Sequence, residues 1–339
     1  MKKKILSVIK FIFFILIGIA LLWLVFRKID IHVLLEEIYH ANYWWIGLSI
    51  IFAIFSHIAR AVRWNILINQ LGYQTRTSTT FYSVMVGYLA NLAFPRLGEV
   101  TRCGVLSKTE KIPFDSLFGS VVAERVFDFI ILMLIIIGTI VFQLNLVGGF
   151  VNRLIFEPIF SKAQSNYLTM LYVVIFIVII VLFCLFLIRY LKSRFKKNHF
   201  YEKIEDFIKG FLDGLKTIKN LKNKSGFFLW TFVLWLMYFL MTYVVFFSME
   251  ATSGLTVIDG ITVLALGSLG MVAPVPGGIG SYHFIVKAIL FELYGISSAA
   301  AASYATIMHS SQTIFVIFVG AISYFILFTI SKKSKNATT

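Results

Sequence analysis

Residues 257–294 read VIDGITVLALGSLGMVAPVPGGIGSYHFIVKAILFELY. The stretch is apolar enough to lie in a bilayer, yet PVPGGIG (274–280) breaks it in the middle. Proline removes a helix donor and glycine weakens the helix, so this is not one continuous span. A second broken stretch, 80–94, runs into FPRLGE (94–99). The placement of these two stretches decides the topology.

Outward from them lie apolar runs of the length a bilayer requires, about 20 residues each. The segments are 5–26, 43–67, 115–142, 167–190, 226–249 and 300–330. The first follows MKKK but is too long for a signal-peptide core, and no small-residue cleavage site follows it. The expected fold is therefore an all-α polytopic membrane protein with six spanning helices and two re-entrant hairpins.

Charge orders the loops, since lysine and arginine accumulate on the cytoplasmic side. Lys2, Lys3, Lys4 and Lys10 put the N-terminus inside. The 189–224 connection carries 11 Lys/Arg against 4 Asp/Glu and belongs inside, whereas 143–166 has only Arg153 and Lys162 and belongs outside. A full crossing by 80–94 would turn the basic loop outward, so 80–94 enters from the cytoplasm and returns. By the same reasoning 257–294 enters from outside, which leaves Lys332, Lys333 and Lys335 in the cytoplasm.

The order is then span, span, hairpin, span, repeated with opposite orientation. An inverted repeat of 1–142 and 167–330 within a single 1–339 membrane domain is a plan common in transporters. GYLANLAFPRLGE (87–99) aligns with GSLGMVAPVPGGI (267–279), sharing Gly87/Gly267, Leu89/Leu269, Ala93/Ala273 and Gly98/Gly278. Within the basic 191–224 loop, Phe200, Ile204, Phe207, Phe211, Leu215 and Ile218 recur at helical spacing, which predicts a helix lying on the inner leaflet. Ile31, Leu34, Leu35 and Ile38 predict a shorter counterpart outside.

Composition agrees and excludes alternatives. The chain of 339 residues is 59% hydrophobic and 14% charged, with a mean hydropathy of +0.87. A soluble domain is about 45–50% apolar and about a quarter charged. The net charge of +15 falls between apolar runs, so it reports topology and anionic lipid rather than nucleic acid. The two cysteines, Cys103 and Cys184, lie far apart, and neither metal-ligand spacing, a cofactor motif nor a nucleotide-binding GxxxxGK[ST] appears. No catalytic residue, metal or cofactor is expected.

Charged side chains inside a bilayer cost several kcal/mol, which makes each a candidate site. In VVAERVFDF (121–129), Glu124 and Asp128 share one helix face, with Arg125 beside them. Ser56, Arg60 and Arg63 recur at i, i+4, i+7 on the second span, with Trp64 alongside. The expected arrangement pairs Arg60 or Arg63 with Glu124 or Asp128. The residues leave two roles open for it: holding spans together, or solvating a polar headgroup. The first hairpin offers Asn91, Arg96, Glu99 and Arg102 around Pro95 and Gly98. There the arginines suit a lipid phosphate, and Glu99 would orient them or meet a cationic group. Pro276, Gly277, Gly278 and Gly280 at the second hairpin need positive φ or close backbone approach. The last span carries Ser303, Thr306, Ser310 and Thr313 roughly on one face, with His309 and Gln312 nearby.

Together RAVRW (60–64) with LG (71–72), GYLANLAFPRLGEVTR (87–102), AERVFD (123–128) and APVPGGIGSYH (273–283) resemble the lysylphosphatidylglycerol synthase/flippase membrane-domain family. The resemblance implies movement of phospholipids or lipid-linked molecules between leaflets of the cytoplasmic membrane. It implies anionic or lipid-phosphate partners and a possible separate lipid-modifying enzyme. In full-length synthases this region precedes an aminoacyltransferase domain. This chain ends soon after its last span and is expected to lack it, although a membrane-bound lipid-modifying transferase is the alternative. Relatives resemble PGG-x-G-x-x-E where this chain has His283, so the role of that acid does not carry over.

Overall fold

The computed structural model describes residues 2–27, 29–143 and 221–336, and every element among them is helical. In chain order these are α1 (Lys2–Phe26), α2 (Ile31–Tyr39), α3 (Tyr43–Gln70), α4 (Thr77–Ala93), α5 (Gly98–Glu110) and α6 (Phe114–Phe142). After the interval come α7 (Lys224–Phe246), α8 (Glu250–Ser253), α9 (Val257–Val272), a 3-10 turn (Pro276–Gly278), α10 (Ser281–Ala288), a π turn (Ile289–Leu293) and α11 (Ser298–Asn336).

Among the described residues, α3, α6, α7 and Ser298–Ile330 of α11 are long and apolar enough to cross a membrane. They match the expected segments 43–67, 115–142, 226–249 and 300–330. The expected first span falls on α1, whose Ile15–Phe26 part is a shorter apolar helix, as is α9. The expected span 167–190 lies outside the described residues, as do nearly all of the 143–166 loop and of the basic 191–224 loop with its interfacial helix. α2 is the short helix expected after the first span, and Asp30 caps it by accepting from His32 N. Leu134 and Ile137 of α6 and Phe318, Phe325 and Phe328 of α11 are exposed, an apolar surface that lipid would cover.

α3 and α7 pack antiparallel as the central pair. Ser49 Oγ donates to Met241 O (2.7 Å), Arg60 Nη2 to Tyr238 OH (2.8 Å), and Lys222 N to Gln70 Oε1 (3.0 Å). Numbers rise along one helix as they fall along the other. Gln312 Nε2 of α11 joins this seam at Ser49 Oγ (3.2 Å), and Ser303 Oγ donates to Leu34 O (3.4 Å). The polar face of the last span thus ties helices together, a frequent use of such residues in bilayers.

The stretch 257–294 folds as a helical hairpin of α9 and α10, whereas 80–93 runs as part of the single helix α4, and its hairpin is completed only by α5 beyond the expected stretch. α4 turns at Pro95 and at Arg96, which has φ +62°, and α5 packs back against it. Sequence reading did not anticipate α5 as a helix, because its composition is polar. Its approach depends on two glycines: a Cβ at Gly98 would sit 2.3 Å from Gly87 O, and one at Gly87 would sit 2.8 Å from Gly98 O. Asn91 Oδ1 accepts from Gly98 N (2.6 Å) and closes the turn. In the second hairpin α9 and α10 approach at Gly270, where a Cβ would lie 2.9 Å from Tyr282 Cα, and Ser281 Oγ donates to Gly270 O (2.6 Å). The two tips touch: a Cβ on Gly277 would be 2.8 Å from Leu92 Cδ2.

Candidate functional site

Helix α6 places Glu124 and Asp128 one turn apart, facing α3. Glu124 is wholly buried and ion-paired to Arg60, to Arg63 (3.3 Å), to Arg102 (3.3 Å) and to Arg125 (2.6 Å). Asp128 pairs with Arg63 (2.6 Å), Arg60 (3.2 Å) and Arg125 (3.4 Å). The pairing expected between the second and third spans is present. Two further arginines join it: Arg102 from α5 and Arg125 from α6 itself.

Aromatic and hydroxyl groups fix the guanidinium planes. The Arg102 guanidinium lies 4.6 Å over the Trp64 ring, and Trp64 Nε1 donates to Ser120 Oγ (2.9 Å). Arg60 reaches Tyr238 OH, and Arg63 Nη1 donates to Thr231 Oγ1 (3.4 Å). Stacked arginine is weakly hydrated and holds its donors in a fixed fork, which suits it to a dry ionic site. Tyr238, Thr231 and Ser120 escaped sequence reading because a lone hydroxyl in an apolar run carries no signal. His57, buried against Tyr88 (4.8 Å) and stacked on Phe315 (5.8 Å), escaped it likewise.

Among the described residues four arginines against two carboxylates leave this cluster with two surplus positive charges. Unpaired buried charge is strongly unfavourable, so such a surplus calls for an anion. A route exists. The Arg125 side chain is 38% exposed while its three partner arginines are at most 5% exposed. It lines a small open cleft with Tyr88, Asn91, Glu99 and Arg102. The cleft lies between the first hairpin and α6.

Of the residues expected at the site, Arg60, Arg63, Arg102, Glu124, Arg125 and Asp128 form the cluster, and Asn91 and Glu99 line its cleft. Arg96 stands apart, exposed at the hairpin tip and without an ion pair among the described residues. Pro276, Gly277 (φ +58°), Gly278 (φ +73°) and Gly280 (φ +85°) form the opposite tip. A Cβ at Gly280 would lie 2.3 Å from Gly18 O, which accounts for glycine there. His283 is buried behind this tip, 4.8 Å from the ring of His309, whose Nε2 contacts Gly277 O (2.8 Å). Among the described residues no ion pair joins the second tip to the charged cluster. Among the described residues no group of three or more His, Cys, Asp or Glu is placed to hold a metal ion.

Residues 10–320 match the family described as the Lysylphosphatidylglycerol synthase TM region. The chain belongs to this family. Every residue of the cluster and both hairpins lie inside the matched region. A UPF0104 membrane protein of Methanocaldococcus jannaschii is 25% identical over 322 residues, covering 89% of this chain and 88% of that protein. Another, from Pyrococcus horikoshii, is 24% identical, covering 85% and 89% respectively. Glycosyltransferase AglD of Haloferax volcanii is 22% identical over 77% of this chain, which spans only 45% of that protein. No solved structure matches. As a member of the Lysylphosphatidylglycerol synthase TM region family, the chain is a multi-pass integral membrane protein with a charged cluster packed among its helices.

Proposed function

We propose that the protein is a lipid translocator, moving a phosphate-bearing headgroup between the leaflets of the cytoplasmic membrane. The observation that carries this reading is the surplus of two positive charges in a buried cluster with one exposed arginine at a cleft. The physical obstacle to translocation is a polar headgroup in an apolar slab. Fixed guanidinium donors replace its hydration, while the acyl tails stay in lipid. The hairpins shorten the barrier, the first re-entering from the cytoplasm and the second from outside, with both termini cytoplasmic.

Two observations support the inverted repeat of 1–142 and 167–330. α4 packs on α11 as α9 packs on α6, and α5 on α6 as α10 on α11, while α3 and α7 pair with each other. Gly98 abuts Asn91 and Gly278 abuts Met271, at aligned positions of the two hairpins.

The test is reconstitution of the purified protein in vesicles holding a tail-labelled anionic phospholipid. Accelerated exchange between leaflets without ATP supports the reading, and a rate equal to protein-free vesicles overturns it. A second reading draws on the Haloferax relative, named a glycosyltransferase and longer than this chain. In that reading the protein presents lipid to a separate lipid-modifying enzyme, and purified protein alone would leave exchange unchanged.

A further inference from the structure

Away from the charged cluster, two histidines are buried for which the proposed function has no use. His283 of α10 and His309 of α11 are 5% and 8% exposed, with ring centroids 4.8 Å apart. Around them stand the ring of Tyr282, 5.4 Å from His309, and that of Phe26 of α1, 6.4 Å from His283. A carbonyl only accepts, so the 2.8 Å contact with Gly277 O puts the hydrogen of neutral His309 on Nε2 and the lone pair on Nδ1. That lone pair, beside a second imidazole, is a place for one proton. A second proton would set two positive rings side by side, so the pair titrates as a unit.

Among the described residues no carboxylate pairs with either ring. On α10 itself Lys287 donates to Val25 O (2.8 Å), and on α1 Arg27 lies over the Trp23 ring (5.1 Å). Tyr304 of α11 donates to Thr242 O (2.8 Å). Glu292 of the π turn is exposed, and Asp259 at the start of α9 accepts from Gln143 (2.9 Å). Where other helices meet α11, His57 of α3 stacks on Phe315, α2 with Glu36 and Glu37 arrives at Ser303, and Arg102 of α5 pairs with Glu124. His57 is not an equivalent site, because Arg60 beside it opposes a further positive charge.

In the structure a proton on the pair would sit among aromatic rings without a counter-charge, and burying such a charge is unfavourable. Parting of the tip from α11 lets water reach the rings. His309 is joined to the tip through Gly277, and the same glycine abuts the first hairpin, where its Cβ would lie 2.8 Å from Leu92 Cδ2. Charge on the pair and closure of the tips therefore oppose each other. Resting on the translocator reading, we infer that His283 and His309 are the proton-binding site of a proton-coupled step. The pair takes one proton from water when the second tip opens, as an N–H on His309 Nδ1, and returns it to water when the tip closes; no other bond changes.

Hydrogen–deuterium exchange of the purified full chain reads the tip through the amides of Gly278 and Ile279, which donate to Val275 O (3.1 Å) and Pro276 O (3.1 Å). A hydrated imidazole takes its proton at about pH 6.5. Opening should therefore rise about tenfold between about pH 7.5 and about pH 5.5, and the protection of these amides, corrected for intrinsic exchange, should fall by the same factor. His309→Gln, which keeps a donor for Gly277 O, removes this dependence, and His283→Gln weakens it. Protection that does not change with pH in the unsubstituted protein, or that falls equally in His309→Gln, overturns the proton site and leaves the translocator reading intact. Coupling is read in vesicles with a tail-labelled anionic phospholipid and an imposed pH gradient, which should skew the label between leaflets beyond its distribution in protein-free vesicles. An even distribution, reached faster than without protein, overturns the coupling alone. No acceleration over protein-free vesicles overturns the translocator reading as well. The pH comparison in the unsubstituted protein still decides where a variant fails to fold.

Discussion

Glu124→Gln isolates the charge at the centre of the cluster, because the amide keeps the shape of the carboxylate. In the folded protein Glu124 is wholly buried and meets four arginines, and after the change those arginines face Asp128 alone. Removing one partner of a buried ion pair costs about 3–5 kcal/mol. Whole domains are stable by only about 5–15 kcal/mol. The melting temperature of the purified protein in one detergent should therefore fall on the order of 10 °C. Arg125→Ala provides the contrast. The Arg125 side chain is only partly buried and its loss lowers the positive surplus, so the expected cost is smaller than that of Glu124→Gln. Melting followed by fluorescence-detected size exclusion compares the two. An unchanged Glu124→Gln melting temperature, or a larger loss in Arg125→Ala, would refute the reasoning that Glu124 neutralises a buried cationic cluster.

The remaining expectations concern the tips, the packing and the topology. Arg96→Ala should slow lipid exchange less than Arg125→Ala, since Arg96 stands outside the cluster, and both rates come from the same vesicle assay; Lys332→Ala, beyond the last span, should leave exchange unchanged. Gly98→Ala should abolish most folded protein, because its Cβ would lie 2.3 Å from a backbone carbonyl. Gly104→Ala on the same helix meets nothing within 4 Å and should stabilise by up to about 1 kcal/mol. Yields after size exclusion separate the two glycine variants. A cysteine placed at Asn152 should react with an impermeant reagent from outside and one at Asn198 should not, and the reverse pattern would remove the two-hairpin topology.

Hydropathy located the long helices well because length and apolar content are what a bilayer demands: 43–67 became Tyr43–Gln70 and 115–142 became Phe114–Phe142. The Arg60, Arg63, Glu124 and Asp128 constellation was legible for a related reason, since ionised residues within apolar runs must find one another. α5 was not legible as a helix. It carries no apolar run, and its position comes from backbone approach at Gly87 and Gly98, which only the folded hairpin reveals. That same approach sends Arg102 to Glu124, while Arg96, six residues earlier and equally basic, stays at the tip. Sequence spacing treated the two arginines alike. The stacking of Arg102 on Trp64 likewise joins residues far apart in the chain, with no local pattern to announce it.

The central claim is that the buried arginines hold a headgroup phosphate while it crosses. Its most direct test is the leaflet exchange rate of a tail-labelled anionic phospholipid, measured without ATP for the unsubstituted protein and Arg125→Ala at equal folded protein per vesicle. The account predicts exchange well above protein-free vesicles for the former. It predicts a loss of roughly tenfold in the variant, the value of a charge-assisted hydrogen bond to phosphate. Exchange no faster than in protein-free vesicles, or an Arg125→Ala rate equal to that of the unsubstituted protein, would contradict it.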